Sequence, residues 1–256
     1  MKARITLLLF AILYCFTSLA QTNFEKHFTK KSLRVDFALS GNWDFQAAAI
    51  QQLREEPVWA GPVKNLIDPF GYGGYYINVY DKAGGELIYS RGFNTLFEEW
   101  RSTEQAKTET QSWTNSISIP YPKAPVIIEI TARDKADMQF HPLLKQEIDP
   151  ASIFIDRGKL KENRITKIQY NGDSSGKVDL VFLAEGYTAN EQEKFVADAK
   201  RFTEALFKTP PYDTRREDFN VWAVDAVSEE SGTDISGKGI FKNTALNSGY
   251  YTFGVD

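Results

Sequence analysis

Leu33, Val35, Phe37 and Leu39 alternate with polar or small neighbours, the period-two pattern of a strand with one buried face. Tyr75 to Tyr80, the turn Asp81-Lys82-Ala83-Gly84-Gly85 and Glu86 to Arg91 follow as strand, glycine-containing turn and strand, which predicts a hairpin. Ser112 to Ile119 and Val126 to Ala132 predict a second strand pair. Pro120-Tyr121-Pro122-Lys123-Ala124-Pro125 is expected to form its connection, because proline donates nothing to a sheet ladder. Between the two pairs, Thr95 to Lys107 is expected to be a helical insert or a long ordered loop. Short strands and turn signals at this spacing predict an antiparallel β-sandwich.

From about Lys177 the pattern changes. Val178 to Ala184 is an almost unbroken apolar run, as in a strand buried on both faces. Thr188 and Glu191 make a capping box, and Phe195, Ala199, Phe202 and Leu206 follow at helical spacing as one apolar face. Pro210-Pro211 ends that helix, and Phe219 to Val227 supplies another apolar strand. Strand, helix, strand implies a parallel pair joined by a right-handed crossover. The fold class is therefore α+β: an N-terminal antiparallel β-sandwich over residues 21–156, then an incomplete α/β region over 157–256. The boundary falls near Asp156 to Asn163.

The chain opens on Met1-Lys2-Ala3-Arg4, an apolar stretch from Ile5 to Phe16 and the small-residue end Thr17-Ser18-Leu19-Ala20. That is a signal-peptide pattern over 1–20, with cleavage expected after Ala20. The apolar stretch is shorter than the ~20 residues that span a bilayer, so no integral membrane segment is expected after cleavage. A secreted, periplasmic or cell-surface location follows. The one cysteine, Cys15, lies inside this leader, which leaves the mature chain without disulfides or thiolate ligands. Net charge is −4, or −6 once Lys2 and Arg4 are lost with the leader, and no basic block exists. Nucleic acid is excluded as an expected partner.

Candidate chemistry is sparse. The sequence holds two histidines, His27 and His141, far apart and outside any His-Glu-x-x-His spacing. His141 is expected to be a packed or turn residue. There is no Gly-x-Ser-x-Gly elbow after a strand, and Gly71-Tyr72-Gly73-Gly74 runs toward a strand instead of opening a phosphate-binding helix. No catalytic and no metal-ligating residue is assigned. Two segments are candidates for lining a cleft at the carboxyl ends of the strands, where open α/β sheets bind ligands. One is Glu185-Gly186-Tyr187, which also fits a tight βα turn made possible by Gly186. The other runs from Ser228 through Glu229, Glu230, Ser231, Gly232 and Thr233 to Asp234, which also fits a solvated acidic loop.

Val178 to Thr188, Phe219-Asn220-Val221-Trp222-Ala223-Val224, Ser228 to Asp234, Lys242-Asn243-Thr244-Ala245-Leu246 and Tyr250-Tyr251-Thr252-Phe253-Gly254 together resemble the start of the catalytic domain of the IgA-peptidase family of zinc metallopeptidases. Leu33-Arg34-Val35-Asp36, Tyr89-Ser90-Arg91-Gly92-Phe93, Phe97-Glu98-Glu99-Trp100 and Ile148-Asp149-Pro150 resemble the β-sandwich that precedes it. The resemblance implies a secreted, zincin-like endopeptidase that acts on a protein or glycoprotein substrate with zinc-activated water and a glutamate base. Zinc is the cofactor expected of the full-length family member. The sequence reaches Asp256 without a His-Glu-x-x-His helix, so no cofactor is assigned to this chain, and on its own it is expected to be inactive. The alternative is a non-catalytic secreted module whose sandwich binds protein or glycan through aromatic residues such as Trp59, Tyr72 and Tyr75.

Overall fold

The structure, a computed structural model, describes residues 22–159 and 162–250. The expected leader over 1–20 lies outside the described residues, as does the run Tyr251-Thr252-Phe253-Gly254. The chain folds as two compact units, Met1–Gly158 and Lys159–Asp256.

The first unit begins with a short helix, α1 (Phe24–His27), whose Asn23 side chain accepts from the amides of Glu25 and Lys26. Eight strands follow: β1 (Phe28–Gly41), β2 (Gln46–Glu56), β3 (Tyr75–Asp81), β4 (Leu87–Phe93), β5 (Gln111–Pro122), β6 (Val126–Arg133), β7 (Phe140–Ile148) and β8 (Ile155–Asp156). They form two four-stranded sheets, in the orders β5-β1-β2-β8 and β4-β3-β6-β7. Pairing is antiparallel throughout, except that the two-residue β8 runs parallel to β2.

Alternation along β1 holds as expected: Leu33, Val35, Phe37 and Leu39 are fully buried. From the other sheet come Ile77, Val79, Ile128 and Ile130, equally buried. Phe37 of β1 meets Phe93 of β4 edge-on at 5.9 Å between ring centres, joining the two sheets through one core. Each such side chain contributes about 1.5–3 kcal/mol by leaving water. The hairpin over 75–91 forms as β3 and β4, and the insert over 95–107 forms α2 (Leu96–Trp100) followed by a 3-10 turn. Thr95 caps α2 by accepting from the Glu98 amide.

The expected pairing of Ser112–Ile119 with Val126–Ala132 is corrected. β5 pairs with β1 in one sheet, while β6 pairs with β3 and β7 in the other, so the link between them crosses from sheet to sheet. Pro120 and Pro122 belong to β5 itself, opposite Ser32 and Phe28. They are tolerated because β5 is an edge strand and needs donors on one side only.

In the second unit, β9 (Ile165–Gln169), β10 (Val178–Leu183) and β11 (Phe219–Val224) form a sheet in the order β10-β11-β9. β10 and β11 run parallel from Val178↔Phe219 to Leu183↔Val224, joined through α3 (Gln192–Leu206), and β9 is antiparallel to β11. Helix α3 packs Phe195 and Ala199 against Ala184 and Ala223. Two details differ from the sequence pattern. β10 is not buried on both faces: it is an edge strand, with Val178, Val181 and Leu183 about half exposed. The inward face of α3 runs Phe195, Ala199, Thr203, at steps of four, so Phe202 turns outward beneath the Arg201 guanidinium. Thr203 satisfies its buried hydroxyl on the Ala199 carbonyl, 2.8 Å away. Among the described residues, no helix is long and apolar enough to cross a membrane.

Candidate functional site

The carboxyl ends of β10 and β11 lead into Ala184-Glu185-Gly186-Tyr187 and into the 225–248 segment, and a cleft of about 570 Å³ opens between these connections. Glu185, Gly186, Tyr187 and Ser231 line it, joined by Glu191, Lys194, Thr233 and Ser248. Ser228, Glu229 and Asp234 do not line it; they organise the loop behind it.

Glu185 accepts from the Thr244 hydroxyl and from the amides of Leu246 (2.8 Å) and Ser248 (2.9 Å). Burial alone would raise its carboxyl, but the donors from Thr244, Ser248 and Leu246 outweigh burial and hold it below the usual value. Gly186 has φ +72° and lies so close to Gly232 that a Cβ would stand 2.1 Å from the Gly232 carbonyl oxygen. The Gly232 amide donates to the Gly186 carbonyl at 2.9 Å, clasping the two loops. The turn geometry needs glycine here on both counts.

Tyr187 donates its hydroxyl to Asp198 at 3.0 Å and packs its ring on Phe195, with Lys194 above the ring. Burial, then the carboxylate of Asp198, push its phenol upward. Lys194, Arg201 and Tyr187 in turn hold Asp198 well below the carboxylate range. Thr188 and Glu191 meet at the helix entrance: the Glu191 carboxylate accepts from the Thr188 amide (2.9 Å) and hydroxyl (2.8 Å). Its other oxygen accepts from Ser231 at 2.9 Å. With its carboxyl lowered by the Thr188 and Ser231 donors, Glu191 is a poor general base for that serine.

Ser228 is buried, and its hydroxyl oxygen accepts from the amides of Gly186 (3.0 Å) and Ala245 (3.1 Å). Glu229 holds the Asn243 side chain, and Asp234 accepts from the Lys242 amide at 2.6 Å. These residues fix the loop's path, and their acidity is spent on that.

A metal centre needs several donors at one point. Among the described residues, no three His, Cys, Asp or Glu side chains converge closely enough to hold a metal ion. His141 is neither packed nor in a turn: it stands exposed on β7, paired with Asp137 at 2.8 Å, and His27 lies in α1 against Phe28. The described residues do not fit a zinc site. Of the sandwich aromatics, Tyr75 is buried and Trp59 packs on Tyr89, while Tyr72 is exposed and stacks on the equally exposed Phe70. Gly71 and Gly73 take positive φ on the way into β3, with no helix behind them.

Glu191, Lys194 and Ser248 were not legible as cleft residues. Helix start and distant loops bring them together, and no local motif marks them. A family model described as Peptidase M64 N-terminus matches residues 23–143, inside the first unit. One described as IgA Peptidase M64 matches residues 166–256, inside the second. No curated protein matches the chain.

Proposed function

This chain belongs to the peptidase M64 family, and from that membership we propose that it forms the N-terminal, zinc-site-lacking portion of a secreted zinc endopeptidase. The ordered pair of family matches, one on each compact unit, is the observation that carries this reading. Metal ligands and the hydrolytic step belong to polypeptide outside these 256 residues, since the sequence supplies two histidines and the described residues no cluster of donors. The residues of this chain would do two other jobs. The sandwich supplies a stable platform, and the Glu185–Ser231 cleft borders the path of a protein or glycoprotein substrate at the strand ends.

The half-exposed apolar residues of β10 also support it. Val181 and Leu183 suit a strand covered by further sheet, and the described residues leave the outer edge of that strand unpaired. Secretion follows from the basic start, apolar stretch and small-residue end of residues 1–20.

The test is to extend the reading frame past codon 256 and to express both the long and the 256-residue products. The long product is expected to carry His-Glu-x-x-His and to cleave casein in a chelator-sensitive way, while the short one neither cleaves nor holds stoichiometric zinc. Chelator-sensitive cleavage by the short chain would overturn the division of labour. The exposed Phe70–Tyr72 pair, parallel to within 11°, favours a second reading in which the sandwich binds glycans or protein. Binding of host glycoproteins that is abolished by Tyr72→Ala would support it.

A further inference from the structure

Residues 242–248 lie against Glu185 and Ser228, beyond the strand ends, without helix or strand of their own. Five of the seven are exposed and one, Thr244, is buried, so apolar burial contributes little to holding them. Carboxylates hold them instead. Asp234 accepts from the Lys242 amide at 2.6 Å, Glu230 from the Asn243 amide at 2.7 Å, and Glu229 from the Asn243 side chain at 2.6 Å. Glu185 takes the Thr244 hydroxyl and the amides of Leu246 and Ser248. Four carboxylates on two loops thus gather six donors from seven consecutive residues. The neutral tethers are fewer: the Ala245 amide donates to the Ser228 hydroxyl at 3.1 Å, and the Asn243 and Ser248 carbonyls accept from the amides of Glu230 and Asp234.

Little positive charge faces this set. Lys242 meets Glu230 at 3.3 Å. At the helix entrance, Glu191 is bound to Thr188 and Ser231, and Lys194 is taken up by Asp198. Beside Ala245 and Leu246, Arg164 is taken up by Asp225, with Glu162 next to it. Tyr187 and Tyr250 line the cleft, and Lys238 lies in the turn after Ile235. Hydrogen bonds of this kind are strong only while the acceptor is ionised. Burial raises the Glu185 carboxyl, but its donors lower it further than that; the Asn243 amide, then Lys242, lower that of Glu230. Their hold is therefore complete above the ordinary value of 4.5 and is lost as pH falls through the lowered ones.

We infer that residues 242–248 form an acid-released strap: protonation of Glu185, Glu229, Glu230 and Asp234 frees the run as one unit, while the sheet and α3 beneath it stay folded. The core under the strap is apolar, built on Ala184, Phe195, Ala199 and Ala223, and holds no carboxylate to protonate. Ser248 lines the Glu185–Ser231 cleft and is followed there by Gly249 and Tyr250, so release removes one wall of it. The release stands without any peptidase activity; only its meaning, as the opening of a substrate cleft, rests on the peptidase reading.

The test follows amide hydrogen exchange of the full chain from about pH 7 to about pH 3, with each rate divided by its unprotected rate at that pH. The amides of Lys242, Asn243, Leu246 and Ser248 are expected to lose protection together, at their steepest by more than about tenfold per pH unit, the slope of a single proton. Ala245 is the discriminating position, because a hydroxyl and not a carboxylate holds its amide. It is expected to lose protection with its neighbours, while Val221 and Ala223 of β11 and Leu33 and Phe37 of β1 keep theirs. Glu185→Gln and, at an exposed position, Glu230→Gln are each expected to move release to higher pH and to lower the protection of all five amides about threefold or more at neutral pH. Protection retained at Ala245 would mean separate bonds titrating in place, and loss at β11 over the same range would mean general acid unfolding. Either result overturns the proposal, as would a one-proton slope or no loss at all. Absence of proteolysis in the extended protein would sink the peptidase reading and leave the strap standing.

Discussion

Glu185 gives its carboxylate to three donors from one loop, and that limits what it can do in the cleft. It is a loop anchor before it is anything else. Because folding lowers its carboxyl, its contribution is fully present above the ordinary value of 4.5 and drains away as pH falls toward the lowered one. Hydrogen-exchange protection at Leu246 and Ser248 should therefore fall progressively as acid takes the pH from the ordinary value of 4.5 down through the lowered one, and Glu185→Gln should lose protection already at neutral pH. Gly186→Ala forces a Cβ onto the Gly232 carbonyl and should cost about 1–3 kcal/mol in a urea titration. The tight βα turn at Gly186 was one of two readings open in the sequence, and the structure shows the turn and the cleft wall to be the same residues. Ser228 shows why sequence could go no further: its hydroxyl serves an amide 42 residues away, a contact that no local pattern records.

Helix α3 separates spacing from burial. Phe195 and Phe202 both lie on an apolar sequence stripe, yet one is buried and the other half exposed. Phe195→Ala should cost about 3–5 kcal/mol and Phe202→Ala under about 1 kcal/mol, as read from the two denaturation midpoints. A drift from steps of four and three to steps of four is enough to exchange Phe202 for Thr203 on the inner face. Strand β1 was legible because its alternation is strict. Strand β2 was not, since Ala47, Ala48, Ala49, Gln51 and Gln52 favour helix locally and take up strand geometry only by pairing with β1. The partners of β5 and β6 were equally hidden: two strands separated by a short proline-rich link resemble a hairpin whether they share a sheet or face each other across one.

At the level of the whole chain, β10 carries the apolar composition of an interior strand at the edge of its sheet. Unpaired and apolar edges invite association. The purified 256-residue chain should self-associate with rising concentration in sedimentation experiments, and Leu183→Lys should shift it toward monomer without lowering its denaturation midpoint. No change on that substitution would mean that the edge is already covered. The α+β character and the sandwich were readable from periodicity, because two large sheets dominate the first unit. The course of the 225–248 segment was not, because it is held by side-chain hydrogen bonds between distant loops and by a two-residue parallel pairing of Asp234–Ile235 with Gly249–Tyr250, which leave no periodic pattern.

The pairing of β1 with β5 also governs time. Asp36 and Ser116 touch across an interval of 80 residues, and Leu33 lies opposite Ile119. Topologies closed by such distant contacts fold in roughly milliseconds to seconds, well behind local helices. During synthesis, Leu33, Val35, Phe37 and Leu39 therefore emerge with no partner for one side of their strand until Gln111–Pro122 has been made. Through that interval the nascent chain stays open to chaperones, and also to any channel that threads only unfolded polypeptide.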